Sequence, residues 1–148
     1  MTRYVLDTNL YVEAVRDRSA AAGLAQFSSM HLPQIHLHAV VAQELMIGAI
    51  NASARKQLDR DLVQPFERRG RVIVPGYRAW KRSGEVIAEL TELKALSRGG
   101  VARSFLNDVL LAVSCREEGF TIITRNTADF ARIQKVEAVR YVAPWPAE

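Results

Sequence analysis

Two acidic residues interrupt apolar helical runs in this chain, and two more follow strand-like segments. Asp7 follows Tyr4-Val5-Leu6 directly, and Glu44 is the one charged residue in the run from Ala39 to Ile50. Asp108 is the one acid between Val101 and Cys115, and Asp129 stands just after Phe120-Thr121-Ile122-Ile123-Thr124. Burying a lone carboxylate costs several kcal/mol or raises its pKa until it is neutral, so Glu44 and Asp108 on their apolar helices need compensation. An arginine would serve for one of them. For four acids on separate elements aimed at one edge, a divalent cation is the simpler answer. An all-oxygen donor set suits Mg²⁺ or Mn²⁺, whereas zinc would ask for His and Cys ligands. Carboxylates that hold such an ion support phosphodiester hydrolysis, because the ion lowers the pKa of bound water and neutralises charge on the phosphate oxygens. Thr8, Asn9, Thr124 and Asn126, next to these acids in sequence, are placed to support ligands or water.

These acids need elements to position them, and the pattern is one of strands alternating with helices. Tyr4-Val5-Leu6 is too short for a helix and reads as a strand buried on both faces, with Asp7 at its carboxyl end. Ligands collect at that edge of an open α/β sheet; the plainer reading is that Asp7 caps the helix that follows. Leu10 to Phe27 reads as one or two helices divided near Asp17-Arg18-Ser19. Gln34 to Leu37 reads as a strand, Ala39 to Ile50 as an apolar helix, and residues 51 to 70 as an amphipathic surface helix. Arg71 to Pro75 forms a third strand candidate ended by proline. Trp80, Val86, Ile87, Leu90, Leu93 and Leu96 mark a long helix from Tyr77 to Leu96, whose stripe suits core or a subunit contact. After Ser97-Arg98-Gly99-Gly100 a helix runs through Asp108 to Cys115, with Gly119 as its C-cap. A fourth strand, Phe120 to Thr124, leads into the loop and helical turn Arg125 to Phe130, and Val139 to Val142 is the fifth. The expectation is one α/β domain over residues 1–148, with a parallel sheet of about five strands flanked by helices in three layers.

The 148 residues and their 49% hydrophobic content suit a single core. The net charge is +4, with sixteen Arg against four Lys. Setting the four acids aside, twelve acidic against twenty basic residues leave +8 on the remainder, a surface that attracts an anionic partner such as RNA. Cys115 is the single cysteine, so no intramolecular disulfide forms, in agreement with a reducing cytoplasm. Ser19 to Gln43 lacks Asp, Glu, Lys and Arg, but its three His, three Gln, three Ser and Pro33 make it too polar for a membrane span. His31, His36 and His38 invite a metal reading, yet a proline divides them, no cysteine is near, and His38 occupies a helix-capping position.

An N-terminal strand ending in Asp7-Thr8-Asn9, a helix carrying Glu44-Leu45, a helix with Asn107-Asp108 followed by Leu111-Ala112, and a strand leading into Thr124-Arg125-Asn126 with Asp129-Phe130 resemble a PIN-domain ribonuclease. The resemblance is nearest to the VapC-type toxins of bacterial toxin-antitoxin pairs and covers nearly the whole chain. It implies a metal-dependent endoribonuclease acting on single-stranded or looped RNA, a homodimer, and a cognate antitoxin that covers the acidic crevice. It assigns Asp7, Glu44, Asp108 and Asp129 to the catalytic and metal-binding site. Asp7 and Asp108 would be direct Mg²⁺ ligands, Glu44 and Asp129 direct or water-bridged ones, and Thr8, Asn9, Thr124 and Asn126 supporting polar residues. The chain departs from the family pattern at His38, where relatives often have Ser or Thr, and in the length of the 51–97 segment.

The rival readings are a PIN nuclease of RNA maturation or decay without an antitoxin, and a PIN fold retained only for binding. A receiver-like or dehalogenase-like Mg²⁺ module also places acids at strand ends. Such a module needs a second acid beside Asp7 and a lysine after strand four, and both are missing here.

Overall fold

The computed structural model describes residues 1–97 and 99–147. Strand β1, Tyr4–Leu6, is buried along its whole length and pairs in parallel on both sides, which makes it the centre of the sheet. Its apolar run is what a strand covered above and below requires. Helices α1, Thr8–Arg16, and α2, Arg18–His31, divide at Asp17, whose carboxylate caps α2 by accepting from Ala20 N. Strand β2, Ile35–His38, leads into α3, Ala39–Gly48. A helical segment follows in three pieces: α4, Ala52–Leu58, a wide π turn, Asp59–Val63, and α5, Gln64–Arg68. Pro65 explains the wide turn, since its ring lacks an N–H and crowds the carbonyl four residues back. Then come β3, Val72–Ile73, α6, Tyr77–Glu92, α7, Arg103–Glu118, β4, Thr121–Ile123, α8, Thr127–Ile133, and β5, Tyr141–Val142.

All pairings are parallel, and the strand order is β3-β2-β1-β4-β5. The chain therefore steps twice to one side of β1 and then returns to the other. Right-handed crossovers put α1 to α5 on one face and α6 to α8 on the opposite one. The direction reverses between β1 and β4, where Leu6 pairs with Ile123. Leu6, Ile35, Leu37, Leu90, Leu111, Ile122, Ile123, Phe130 and Ile133 fill the core.

Several boundaries depart from expectation. Leu32–Gln34, with Pro33, is a 3-10 turn, so β2 starts at Ile35 and ends on His38. Strands β3 and β5 shrink to two residues each, since each lies at a sheet edge and pairs on one side only. Helix α6 stops at Glu92 and the chain then turns through Lys94 at φ 59°, which leaves Leu93 exposed. Trp80 is also exposed, so the buried stripe of α6 runs through Ala79, Val86 and Leu90. Gly119 caps α7 at φ 78°, a left-handed conformation that favours glycine. The expected breaker Ser97-Arg98-Gly99-Gly100 lies between α6 and α7, with Arg98 outside the described residues. Cys115 is a free, buried thiol. Among the described residues no helix is long and apolar enough to cross a membrane.

Candidate active site

Strand β1 delivers Asp7 to the carboxyl edge of the sheet, beside the end of β4. Its backbone N–H still bonds to Ile123 O at 2.9 Å. Its carboxylate accepts from Thr8 N at 2.8 Å, so Asp7 caps α1, and from Thr124 Oγ1 at 2.7 Å. The capping and functional readings of Asp7 are thus compatible: one oxygen starts the helix and the other faces β4. Asp7 is 5% exposed, and burial raises its pKa against the lowering influence of the Thr124 and Thr8 hydrogen bonds. The negative charge of Glu44 raises it further.

Glu44 is carried in by α3. Thr8 Oγ1 donates to its Oε1 at 2.6 Å, and Asn107 Nδ2 to its Oε2 at 3.3 Å. Helix α7 brings Asp108, which is 8% exposed. Burial, then the charges of Asp7, Asp129 and Glu44, push its carboxyl up to about 8, while the bond from Asn126 pulls the other way. The three other acids therefore act on one buried carboxyl, as expected for like charges that share a low-dielectric crevice. Asn126 Nδ2 donates to Asp108 Oδ2 at 3.1 Å and to Asp129 Oδ2 at 2.8 Å. Thr124 Oγ1 accepts from Asn126 N at 2.9 Å, so one turn after β4 ties together Asp7, Asp108 and Asp129.

Seven of the eight residues picked from sequence join this network. The exception is Asn9, whose Oδ1 is buried and has no hydrogen-bond partner. Two further residues take part. Asn107 belongs to the Asn-Asp pair on α7, but helix neighbours point about 100° apart, so its reach to Glu44 depends on α3 packing against α7. Arg132 pairs with Asp129 at 3.3 Å and lies over the Phe105 ring at 5.0 Å. Its spacing from Asp129, one helical turn, is a signal the sequence carries.

Asp7, Glu44 and Asp108 have no salt-bridge partner among the described residues; their donors are neutral hydroxyls and amides. As the side chains stand, no three His, Cys, Asp or Glu among the described residues form a group that could hold a metal ion. The acids share a field without forming a closed cage. The donor set is nonetheless the one a hard divalent cation takes: oxygen only, two buried carboxylates and mutual repulsion among the acids. The residues present fit such an ion.

The histidines do not gather at a site. His38 Nδ1 accepts from Val40 N at 3.0 Å as the cap of α3, and its Nε2 lies 2.6 Å from Ser114 Oγ, which donates to Leu110 O. That chain of bonds assigns the neutral Nε2–H tautomer, and burial lowers the pKa of His38 to about 4. His31 packs on Tyr4 and Phe27, and His36 on Phe120.

A family model described as PIN domain matches residues 4–136. The fold is similar to a DNA-bound VapBC from Salmonella typhimurium, with TM-score 0.71 and 20% identity over 97% of this chain and 98% of that one. It is similar to VapBC2 from Rickettsia felis bound to a DNA fragment from their promoter, with TM-score 0.66 and 24% identity over 98% and 100%. It is also similar to a toxin-antitoxin complex from Klebsiella pneumoniae, with TM-score 0.64 and 23% identity over 96% and 98%. A search of the curated proteins gives no match.

Proposed function

The chain belongs to the PIN-domain family, and from that premise we propose that it is a divalent-metal-dependent endoribonuclease, the toxin of a toxin-antitoxin pair. The observation that carries this reading is the convergence of Asp7, Glu44, Asp108 and Asp129 at the β1–β4 reversal, three of them with neutral donors only. Ordinary structural acids would be matched by guanidinium groups, and of these four acids Asp129 alone has an arginine partner among the described residues.

Asp7 and Asp108, with Glu44 and Asp129 beside them, would hold Mg²⁺ or Mn²⁺. When bound, such an ion supplies activation of water and neutralisation of charge at the phosphodiester. The residues of this chain do the rest. Thr124 and Thr8 fix the Asp7 and Glu44 carboxylates, and Asn126 sets the spacing of Asp108 and Asp129. Asp108 Oδ1 takes no part in the Asn126 bond, and the proton that the raised Asp108 carboxyl keeps near neutral pH would be given up where a cation is bound.

The structural neighbours, one of them a toxin-antitoxin complex, support an antitoxin as partner. The family resemblance adds a homodimer, and the single cysteine agrees with a reducing cytoplasm. Exposed Tyr77 and Trp80 on α6 offer apolar surface for a second copy. The test is purified chain with single-stranded RNA and Mg²⁺ or Mn²⁺: cleavage that EDTA stops and the antitoxin suppresses supports the reading, and RNA left intact under all these conditions overturns it.

A further inference from the structure

A groove of about 570 Å³ opens beside the acids, lined by Glu13, Arg16 and Asp17 of α1 and its end, Gly23 of α2, Arg125 and Trp145. Two links tie it to the acidic crevice. Arg125 lies between Thr124, which bonds Asp7, and Asn126, which bonds Asp108 and Asp129. Helix α1 is capped by Asp7 at its start, and its later turns carry Glu13 and Arg16, about 9 and 14 Å further along the helix axis at the usual rise.

The groove's chemistry suits a strand of nucleic acid. Arg125 Nε is bound to Glu13 Oε2 at 2.5 Å with half of the side chain exposed, and its other donors make no hydrogen bond among the described residues. Arg16 is exposed and makes no salt bridge among the described residues. Trp145 is half-buried, stacked on Phe27 with centroids 4.9 Å apart, and its indole N–H makes no hydrogen bond among the described residues. Gly23 is needed for that seat: a Cβ there would stand 2.9 Å from Trp145 Nε1. A fixed aromatic plane next to two guanidinium groups is the combination that binds single strands, phosphate on the arginines and base on the ring.

We propose that this groove holds the RNA segment adjoining the scissile linkage, with Arg125 and Arg16 on phosphate and Trp145 against a base. The proposal rests on the ribonuclease reading above. Glu13 then acts as a competitor: its carboxylate occupies Arg125 until phosphate displaces it. An acidic protein segment would satisfy the arginines too, but continuity with the acids through Thr124-Arg125-Asn126 favours RNA.

The test is fluorescence anisotropy of a labelled single-stranded RNA with the full chain in EDTA, over a range of salt. Melting temperatures serve as the folding control. The Arg16→Gln/Arg125→Gln variant is expected to weaken binding about tenfold or more and to reduce the salt slope by about 0.7 for each phosphate left without its arginine. Trp145→Leu should weaken it about tenfold and Trp145→Phe less, because a ring is retained. Glu13→Gln should tighten binding, a gain that a purely structural ion pair would not produce. RNA bound equally well by wild type and every variant overturns the groove alone. RNA not bound by wild type overturns the groove, and RNA that wild type neither binds nor cleaves overturns the ribonuclease reading as well. If the arginine variant loses a polyglutamate peptide and keeps RNA, the groove belongs to an acidic protein and the proposal falls.

Discussion

Thr124 Oγ1 donates to Asp7 Oδ2 at 2.7 Å, joining the ends of the two parallel strands between which the strand order reverses. The two residues are 117 positions apart in sequence, and the bond is buried. It orients the carboxylate that also starts α1.

Replacing Thr124 by valine keeps the shape and removes that donor. Leaving a buried acceptor unpaired costs about 1–3 kcal/mol, and loss of a group that orients a ligand costs about 10- to 100-fold in activity. Thr124→Val should therefore melt several degrees lower and cleave RNA correspondingly slowly, while Thr124→Ser stays close to wild type. Thermal denaturation and cleavage rates on the same preparations check both effects.

Asp108→Asn should make the metal-free protein more stable while it ends cleavage. The carboxyl of Asp108 is raised to about 8 in the folded chain from an ordinary 3.8. Below pH 3.8 it is protonated folded or unfolded, with no penalty; from there to about 8 the unfolded chain ionises first and stability falls with rising pH. The amide escapes this loss. At pH 8 the variant should melt at least about 3 °C higher, the shift that ~1 kcal/mol produces in a chain of this size. The gap should close toward acid pH, as scanning calorimetry across that range would show.

His38 gives the opposite slope. Its pKa is lowered to about 4 in the fold from 6.5, so between those values the unfolded chain takes up protons first and stability falls as pH falls. His38→Asn keeps a side chain that can cap α3 and cannot titrate. The stability difference between wild type and this variant should shrink by about 3 kcal/mol from pH 7 to pH 4, the linkage value of that shift. Urea denaturation midpoints at the two pH values measure it.

These residues also show what can be read from sequence. Glu44 and Asp108 are visible because a charge stands out in an apolar run, and Asp7 and Asp129 because they follow strand-like segments whose ends a parallel sheet gathers at one edge. Capping by His38 is visible from its place between a strand and an apolar helix. Asn107 is not, because its role depends on how α3 crosses α7, which local spacing does not encode. The end of α6 is hidden for a similar reason. Leu93 and Leu96 continue the helical period, yet Lys94 turns the chain and leaves Leu93 in solvent. Asn9 stands beside Asp7 in the motif, but its side chain makes no bond to the acids.

The central claim is that the gathered carboxylates bind a divalent cation, and calorimetric titration with Mn²⁺ near pH 7 tests it most directly. Wild type should bind Mn²⁺ and release close to one proton from Asp108, seen as a heat that varies with the ionisation enthalpy of the buffer. The Asp7→Asn/Asp108→Asn variant should show neither binding nor proton release. Equal Mn²⁺ affinity in the two proteins, or no binding to wild type, would contradict the account.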